Sequence, residues 1–179
     1  MTSIRVVPSA ALSAADWSEL TELCVAAFEE PWDGYWESIG PGVHVMAEDD
    51  EGVIVAHAAI VDRLLYPGDA VLRAGYVEAV AVLPAFQRRG HGTEVMAVIN
   101  RMIDRGYELG ALGTGSHHFY ERLGWVTWRG PTWIRQRDES LVRSPDEDGD
   151  ILVRRTPSTP ASLDLSLPIA VDWRPGEVW

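Results

Sequence analysis

The stretch from Ala74 to Gly92, AGYVEAVAVLPAFQRRGHG, constrains this chain more than any other. Tyr76 to Leu83 is a run of apolar, mostly small or β-branched residues and reads as a buried strand. Pro84 stops it, because proline has no N–H to give to a ladder. Gln87, Arg88, Arg89, Gly90, His91 and Gly92 then form a polar, glycine-punctuated turn. A helical pattern follows over residues 90–105, with Val95, Ile99, Met102 and Ile103 on one stripe. A strand, a glycine turn and a helix N-terminus together hold an anion, since the first helical N–H groups have no intrahelical partner and the dipole adds partial positive charge. One carboxylate, Glu78, interrupts the apolar strand. A buried carboxylate without a partner is costly, so this strand has to supply Glu78 with a partner, a use, or both.

The rest of the chain alternates strands and helices. Residues 4–8 read as a first strand. Ser13 and Asp16 resemble a capping box, with Asp where Glu or Gln is usual, ahead of a helix over 14–29. Its apolar stripe includes Cys24, read as a buried structural thiol. Residues 30–42, EEPWDGYWESIGP, read as a short helix or an ordered loop. Strands at 43–48, 53–66 and 72–83, joined by turns at Asp49–Gly52 and Pro67–Asp69, make an antiparallel meander. A strand at 108–112 follows the helix and should run parallel to that at 72–83, because a helix connects them. A short helix at 116–123, a strand at 125–135 broken by Gly130-Pro131, a polar stretch at 136–150, a strand at 151–154 and a last strand at 163–171 complete the pattern. This predicts one mixed α+β domain over residues 1–179.

The formal net charge is −12, from 27 acidic and 15 basic residues, and all of the basic ones are Arg. Such a chain repels nucleic acid and anionic membranes and favours cationic partners. The single cysteine excludes an intrachain disulfide framework. No run approaches the ~18 apolar residues of a membrane span, and the N-terminus lacks a signal-peptide core. The protein is expected to be cytoplasmic.

The turn Gln87-x-x-Gly90-x-Gly92 suits a pyrophosphate held by consecutive backbone amides, with Arg88 and Arg89 adding charge. It lacks the G-x-G-x-x-G of a dinucleotide fold, and without Lys it is no Walker loop. The adjacent His117 and His118 have no further ligand at zinc spacing, so no metal is expected. The turn and Phe119-Tyr120-Glu121-Arg122-Leu123-Gly124-Trp125 together resemble the GNAT superfamily of acyl-CoA-dependent N-acyltransferases. That resemblance implies a mostly antiparallel mixed sheet with splayed strands and flanking helices. It places acetyl-CoA against the backbone of Val80 and Val82 and against Gln87, Arg88, Arg89, Gly90, His91, Gly92 and Thr93, with Tyr120 near the sulfur.

GYVEAVAV, GYELGAL, GWVTWRGPT, SPDEDGD and the terminal DWRPGEVW look, more narrowly, like the aminoglycoside 2′-N-acetyltransferases. The acidic surplus fits a polycationic acceptor. Acetyl transfer needs a neutral amine, so a base has to take a proton. The resemblance assigns this to Glu78, proton donation to the sulfur to Tyr120, and polarisation of the thioester to a backbone N–H near Val80. It places Asp33, Ala79, Gly113, Glu147, Glu177 and the carboxylate of Trp179 against the acceptor, and implies that a homodimer can form. Glu147 and Glu177 stand where the family has Asp, and Gly113 where it offers Ser, with Thr114 and Ser116 the nearest hydroxyls. Other amine acceptors and a non-catalytic CoA-binding module are the alternatives.

Overall fold

The computed structural model describes residues 2–179. By internal contacts the chain forms two compact units: one takes the chain up to Val61 together with Val77–Arg101, the other Asp62–Tyr76 with Met102–Trp179.

The first unit contains β1 (Ser3–Pro8), α1 (Ala14–Phe28), α2 (Tyr35–Ile39), β2 (Gly42–Glu48), residues 54–61 of β3 (Ile54–Pro67), residues 77–82 of β4 (Leu72–Val82) and most of α3 (His91–Gly106). β1 pairs antiparallel with β2 from Ser3–Glu48 to Pro8–Val43, and β2 pairs antiparallel with β3 from Gly42–Val61 to Glu48–Ile54. α1 begins on the expected capping box: Ser13 Oγ accepts from the Asp16 amide at 3.1 Å, and the Asp16 carboxylate accepts from the Ser13 amide at 2.8 Å. Arg5 ties Asp16 to Glu48, and with the Ser13 contacts it holds the Asp16 carboxyl well below the usual range. Leu20, Leu23 and Cys24 pack against Met46, Ile54, Ala79 and Ala81. Burial pushes the Cys24 thiol up to about 12, which leaves it inert.

The second unit adds β5 (Leu109–Gly113), α4 (His117–Glu121), β6 (Val126–Thr127), β7 (Thr132–Arg135), β8 (Leu141–Arg143), β9 (Ile151–Arg155) and β10 (Ile169–Asp172). Its strand order is β6-β9-β5-β4-β3-β10-β7-β8. The β4–β5 pair is parallel, as a helical crossover requires, and registers Ala74 with Leu109 and Tyr76 with Ala111. Gly75 and Gly110 are neighbours in that ladder because there is no room for more: a Cβ on Gly75 would lie 2.9 Å from Tyr107, and one on Gly110 3.0 Å from both Ile103 and Trp125.

The stretch 125–135 is broken at Gly130-Pro131 as expected, into β6 and β7, and Gly130 lies so close to Leu167 that a Cβ would stand 1.8 Å from its carbonyl oxygen. Two later segments differ from the sequence expectation. The polar stretch 136–150 contains β8, hairpinned onto β7 through a turn where Asp138 Oδ1 accepts from the Ser140 amide and hydroxyl. The last strand is only Ile169–Asp172, because Asp164 turns the chain by accepting from the Ser166 amide at 2.9 Å. Side chain to backbone bonds of this kind compete with strand pairing. No helix among the described residues is long and apolar enough to cross a membrane.

The approach at Gly130 is backbone against backbone and cannot relax by a rotamer change. Gly130→Ala is expected to cost about 2–4 kcal/mol in urea unfolding. Gly115→Ala, where nothing lies within 4 Å of an added Cβ, should stay close to wild type.

Candidate active site

Glu78 lies on β4 in the first unit and is 6% exposed. Its Oε2 accepts a hydrogen bond from the Tyr35 hydroxyl at 2.9 Å. Tyr35 is the first residue of α2 and packs on Trp32, with ring centroids 4.1 Å apart. The tryptophan-rich segment therefore has a local purpose: it buries one aromatic face against the core and turns a phenol onto the strand carboxylate. Asp33, two residues earlier, is exposed. Ala79 follows Glu78 with φ +50°, a left-handed residue in the middle of a strand. Residues 74–79 are all buried, so this part of the strand is covered on both faces and Glu78 has apolar neighbours along the chain on either side. The Ala79 carbonyl lies 2.8 Å from His57 Nδ1. Val80 and Val82 are half-buried beyond it, and the Val82 carbonyl accepts from the Gln87 side-chain amide at 3.3 Å.

The turn before α3 has two left-handed residues, Arg88 at φ +59° and Gly90 at φ +96°. A Cβ on Gly90 would meet nothing within 4 Å, and Gln87, Arg88, Arg89 and Gly90 are all exposed. Arg89 stacks over Phe86, 5.4 Å from the ring centroid. Gly90 offers its carbonyl to the Glu94 amide at 2.9 Å, so the amides of His91, Gly92 and Thr93 begin the helix as orphan donors. This is an open cradle beside a 16-residue helix dipole, with two exposed arginines in the turn itself, and a pyrophosphate fits its donor set.

Tyr120 lies in the second unit on α4, 7% exposed, edge-on to Phe119 and Trp125. Burial pushes its phenol up to about 12. Its carbonyl accepts from the amides of Leu123 and Trp125, and Gly124 at φ +88° makes that reversal. Gly113 ends β5, and the carboxyl carbon of Trp179 lies 3.7 Å from where its Cβ would stand. Trp179 is seated by its indole N–H on Ser144 Oγ at 2.9 Å, while Arg63 donates to the Val178 carbonyl and stacks over Tyr76. The acids at 146–150 divide by role. Arg143 grips Asp148 at 2.6 Å, the Thr132 amide donates to it at 2.8 Å, and its carboxyl is held well below the usual range. Asp150 contacts His117 Nε2 at 3.2 Å. Glu147 sits in a field of like charge: burial first, then Asp150, Glu177 and Asp146, raise its carboxyl.

A model of the Acetyltransferase (GNAT) family matches residues 12–125. An aminoglycoside 2′-N-acetyltransferase of Mycolicibacterium fortuitum is 36% identical over 162 residues, covering 88% of this chain and 82% of that protein. The chain belongs to the GNAT acetyltransferase family. Solved structures agree on the fold. A GNAT-family N-acetyltransferase, YhbS, of Escherichia coli in complex with CoA superposes with a TM-score of 0.67 at 16% identity, over 95% of this chain and 89% of that one. A GCN5-related N-acetyltransferase of Kribbella flavida matches with a TM-score of 0.56 at 18% identity, over 70% of this chain. This chain spans only about a third of that neighbour, 34% of its length.

Several residues around the candidate site of this GNAT acetyltransferase carry no signal in the sequence. Tyr35 as the partner of Glu78, Arg63 behind the C-terminal residues, and the left-handed Ala79 and Arg88 are all set by tertiary contacts. His57 is fully buried, and its imidazole reaches Ala79 from 22 residues away in the chain.

The field around Glu147 makes a stability prediction for this acetyltransferase. Its folded carboxyl is raised, so the fold binds that proton more tightly than the unfolded chain and is penalised once Glu147 ionises. Glu147→Gln should therefore unfold at higher urea than wild type near pH 7. The advantage should shrink as pH falls through the raised carboxyl range and wild-type Glu147 becomes neutral.

Proposed function

We propose that this acetyltransferase moves the acetyl group of acetyl-CoA to the 2′-amine of an aminoglycoside, by direct transfer while both substrates are bound. The observation that carries the acceptor class is the raised carboxyl of Glu147 among Asp150, Glu177 and Asp146. Grouped carboxylates that destabilise one another are relieved by a cation, and a polyamine sugar is one. The whole-chain likeness to a curated aminoglycoside 2′-N-acetyltransferase supports the narrower reading. The cradle at Gln87–Gly92 and the amides of His91, Gly92 and Thr93 would take the donor's pyrophosphate, and the backbone of Val80 and Val82 its pantetheine arm.

The roles follow from each group's chemistry. An alkyl amine is largely protonated near neutrality and cannot attack in that form. Glu78 removes the proton, directly or through one water, as the nitrogen bonds to the thioester carbonyl carbon. The Tyr35 hydroxyl donates to its Oε2 and fixes its direction. The Val80 N–H stabilises the charge that develops on the carbonyl oxygen. Tyr120 remains protonated, since its phenol titrates at about 12. A leaving thiolate has a conjugate acid near 8.5, by analogy with cysteine, so the proton donation that the resemblance implies for Tyr120 is replaced here: the phenol keeps its proton and acts as a hydrogen-bond donor to the sulfur as the C–S bond breaks. Water then protonates the thiolate. Asp33, Ala79, Gly113, Glu147, Glu177 and the Trp179 carboxylate form the proposed acceptor contacts.

Incubation with acetyl-CoA and a panel of aminoglycosides, following free thiol, tests the reading. Thiol release is expected with 2′-amino compounds and not with analogues lacking that amine. No release with any of them would refute it. A second acceptor, such as an unusual aminosugar, polyamine or protein N-terminus, is favoured only by Gly113, which withholds a hydroxyl from the loop. Mass spectrometry across a broad amine panel separates the two. Glu78→Gln should lower kcat about 10²- to 10⁴-fold, most at low pH, where amine deprotonation limits the rate. An unchanged pH–rate profile would remove the base role. Tyr120→Phe should lower kcat by about 10- to 100-fold, with little change in KM for the acceptor; an unchanged kcat would remove the sulfur-side role.

A further inference from the structure

Two histidines in the interior of the first unit have no part in the steps above. His44 and His57 are 1% and 0% exposed, and their rings stack with centroids 5.2 Å apart. Trp36 stands edge-on to both, and Trp17 to His44. A line of short contacts runs through them: Ser9 Oγ to His44 Nε2 at 3.0 Å, His44 Nδ1 to His57 Nε2 at 2.9 Å, and His57 Nδ1 to the Ala79 carbonyl oxygen at 2.8 Å. The polarity of this line is fixed from its far end. A carbonyl only accepts, so His57 Nδ1 carries the hydrogen and donates. In a neutral imidazole its Nε2 must then accept, which makes His44 Nδ1 the donor and leaves His44 Nε2 an acceptor facing the Ser9 hydroxyl, whose one hydrogen is shared with the Gly42 carbonyl at 3.1 Å. Burial pushes His44 down to about 4 and, helped by His44, His57 down to about 3, so both rings are neutral at working pH.

The end of the line is the left-handed residue of β4. A non-glycine residue held at φ +50° costs on the order of 1–3 kcal/mol and persists only where its surroundings impose it. The Ala79 carbonyl and the Val80 N–H belong to one planar trans peptide group, so they point in opposite directions. Holding the carbonyl on His57 aims the Val80 N–H the other way. The hydrogen bond at the carbonyl also polarises the amide and strengthens its N–H as a donor, and the bond from His44 adds to this cooperatively.

We propose that the His44–His57 pair positions the Ala79–Val80 peptide group, aiming and polarising the Val80 N–H toward the acetyl carbonyl oxygen of the donor. The proposal rests on the reading above that this N–H meets that oxygen. Both histidines are positioning residues; neither touches substrate.

The test begins with the unmodified protein. Long-range ¹H–¹⁵N spectra should show both histidines as Nδ1–H tautomers that do not titrate between pH 8 and 6. An Nε2–H tautomer at His57, or a ring protonating near pH 6.5, would overturn the proposal without any variant being made. Adding acetyl-CoA should shift the Val80 amide proton downfield. In His57→Leu that shift should shrink, and in His57→Asn, whose Nδ2–H stands near the place of Nδ1–H, most of it should return. With an acceptor that turns over, His57→Leu should lose about 10²-fold in kcat, the scale of one misaimed oxyanion donor, with KM for acetyl-CoA within about threefold. His57→Asn should recover at least tenfold of the loss. A folded His57→Leu with wild-type Val80 shift and wild-type kcat would refute the positioning role. If no aminoglycoside is acetylated, the acceptor assignment fails, while the tautomers and the Val80 shift still decide this proposal.

Discussion

A carboxylate inside an apolar strand is the constraint on which the rest of the first unit depends. Glu78 is nearly enclosed, and an enclosed carboxylate must be met by donors. The Tyr35 hydroxyl does this, and placing Tyr35 requires α2, the aromatic packing with Trp32, and the core face of α1 on which that packing rests. The strand yields as well: Ala79 turns left-handed immediately after Glu78. Strain next to a polar buried group is common at working sites and uncommon elsewhere.

What was legible in the sequence follows from which forces are local. The capping box at Ser13, the strand stop at Pro84 and the parallel crossover from β4 to β5 are decided by residues close in the chain or by the length of a connection, and all stand as read. The late strands depart from apolar patterning where side chain and backbone compete. Asp164 and Asp138 make turns that apolar patterning alone does not reveal, and the apolar residues at 163–168 are therefore not strand. The candidate site was legible as residue types and not as partners. Glu78 and the glycine turn stand out by composition and spacing, and Tyr120 by the family resemblance, whereas the hydroxyl on Glu78, the imidazole on Ala79 and the guanidinium behind Val178 come from 22 to 115 residues away.

The acids of the second unit show two uses of one charge. Asp148 is fastened by Arg143 and Thr132 and holds the β7–β8 hairpin in register with the turn that follows. Glu147, its immediate neighbour, has the opposite environment and is raised by the acids around it. Sequence gives both as members of one acidic run. The fold separates them by supplying a cation to one and like charge to the other, so one stabilises the hairpin and the other is a cost to the fold.

Gly113 has a bearing on how such a protein diversifies. Its backbone needs no glycine conformation, and an added Cβ would meet its neighbours, Tyr76, Ile151 and Trp179, at ordinary contact distances of 3.6–3.7 Å. Glycine and serine codons can differ by one base. A hydroxyl at the end of β5, next to the terminal carboxyl group, is thus one nucleotide change away and requires no backbone rearrangement. The chemistry of this corner of the second unit can therefore change by a single substitution that the surrounding packing tolerates.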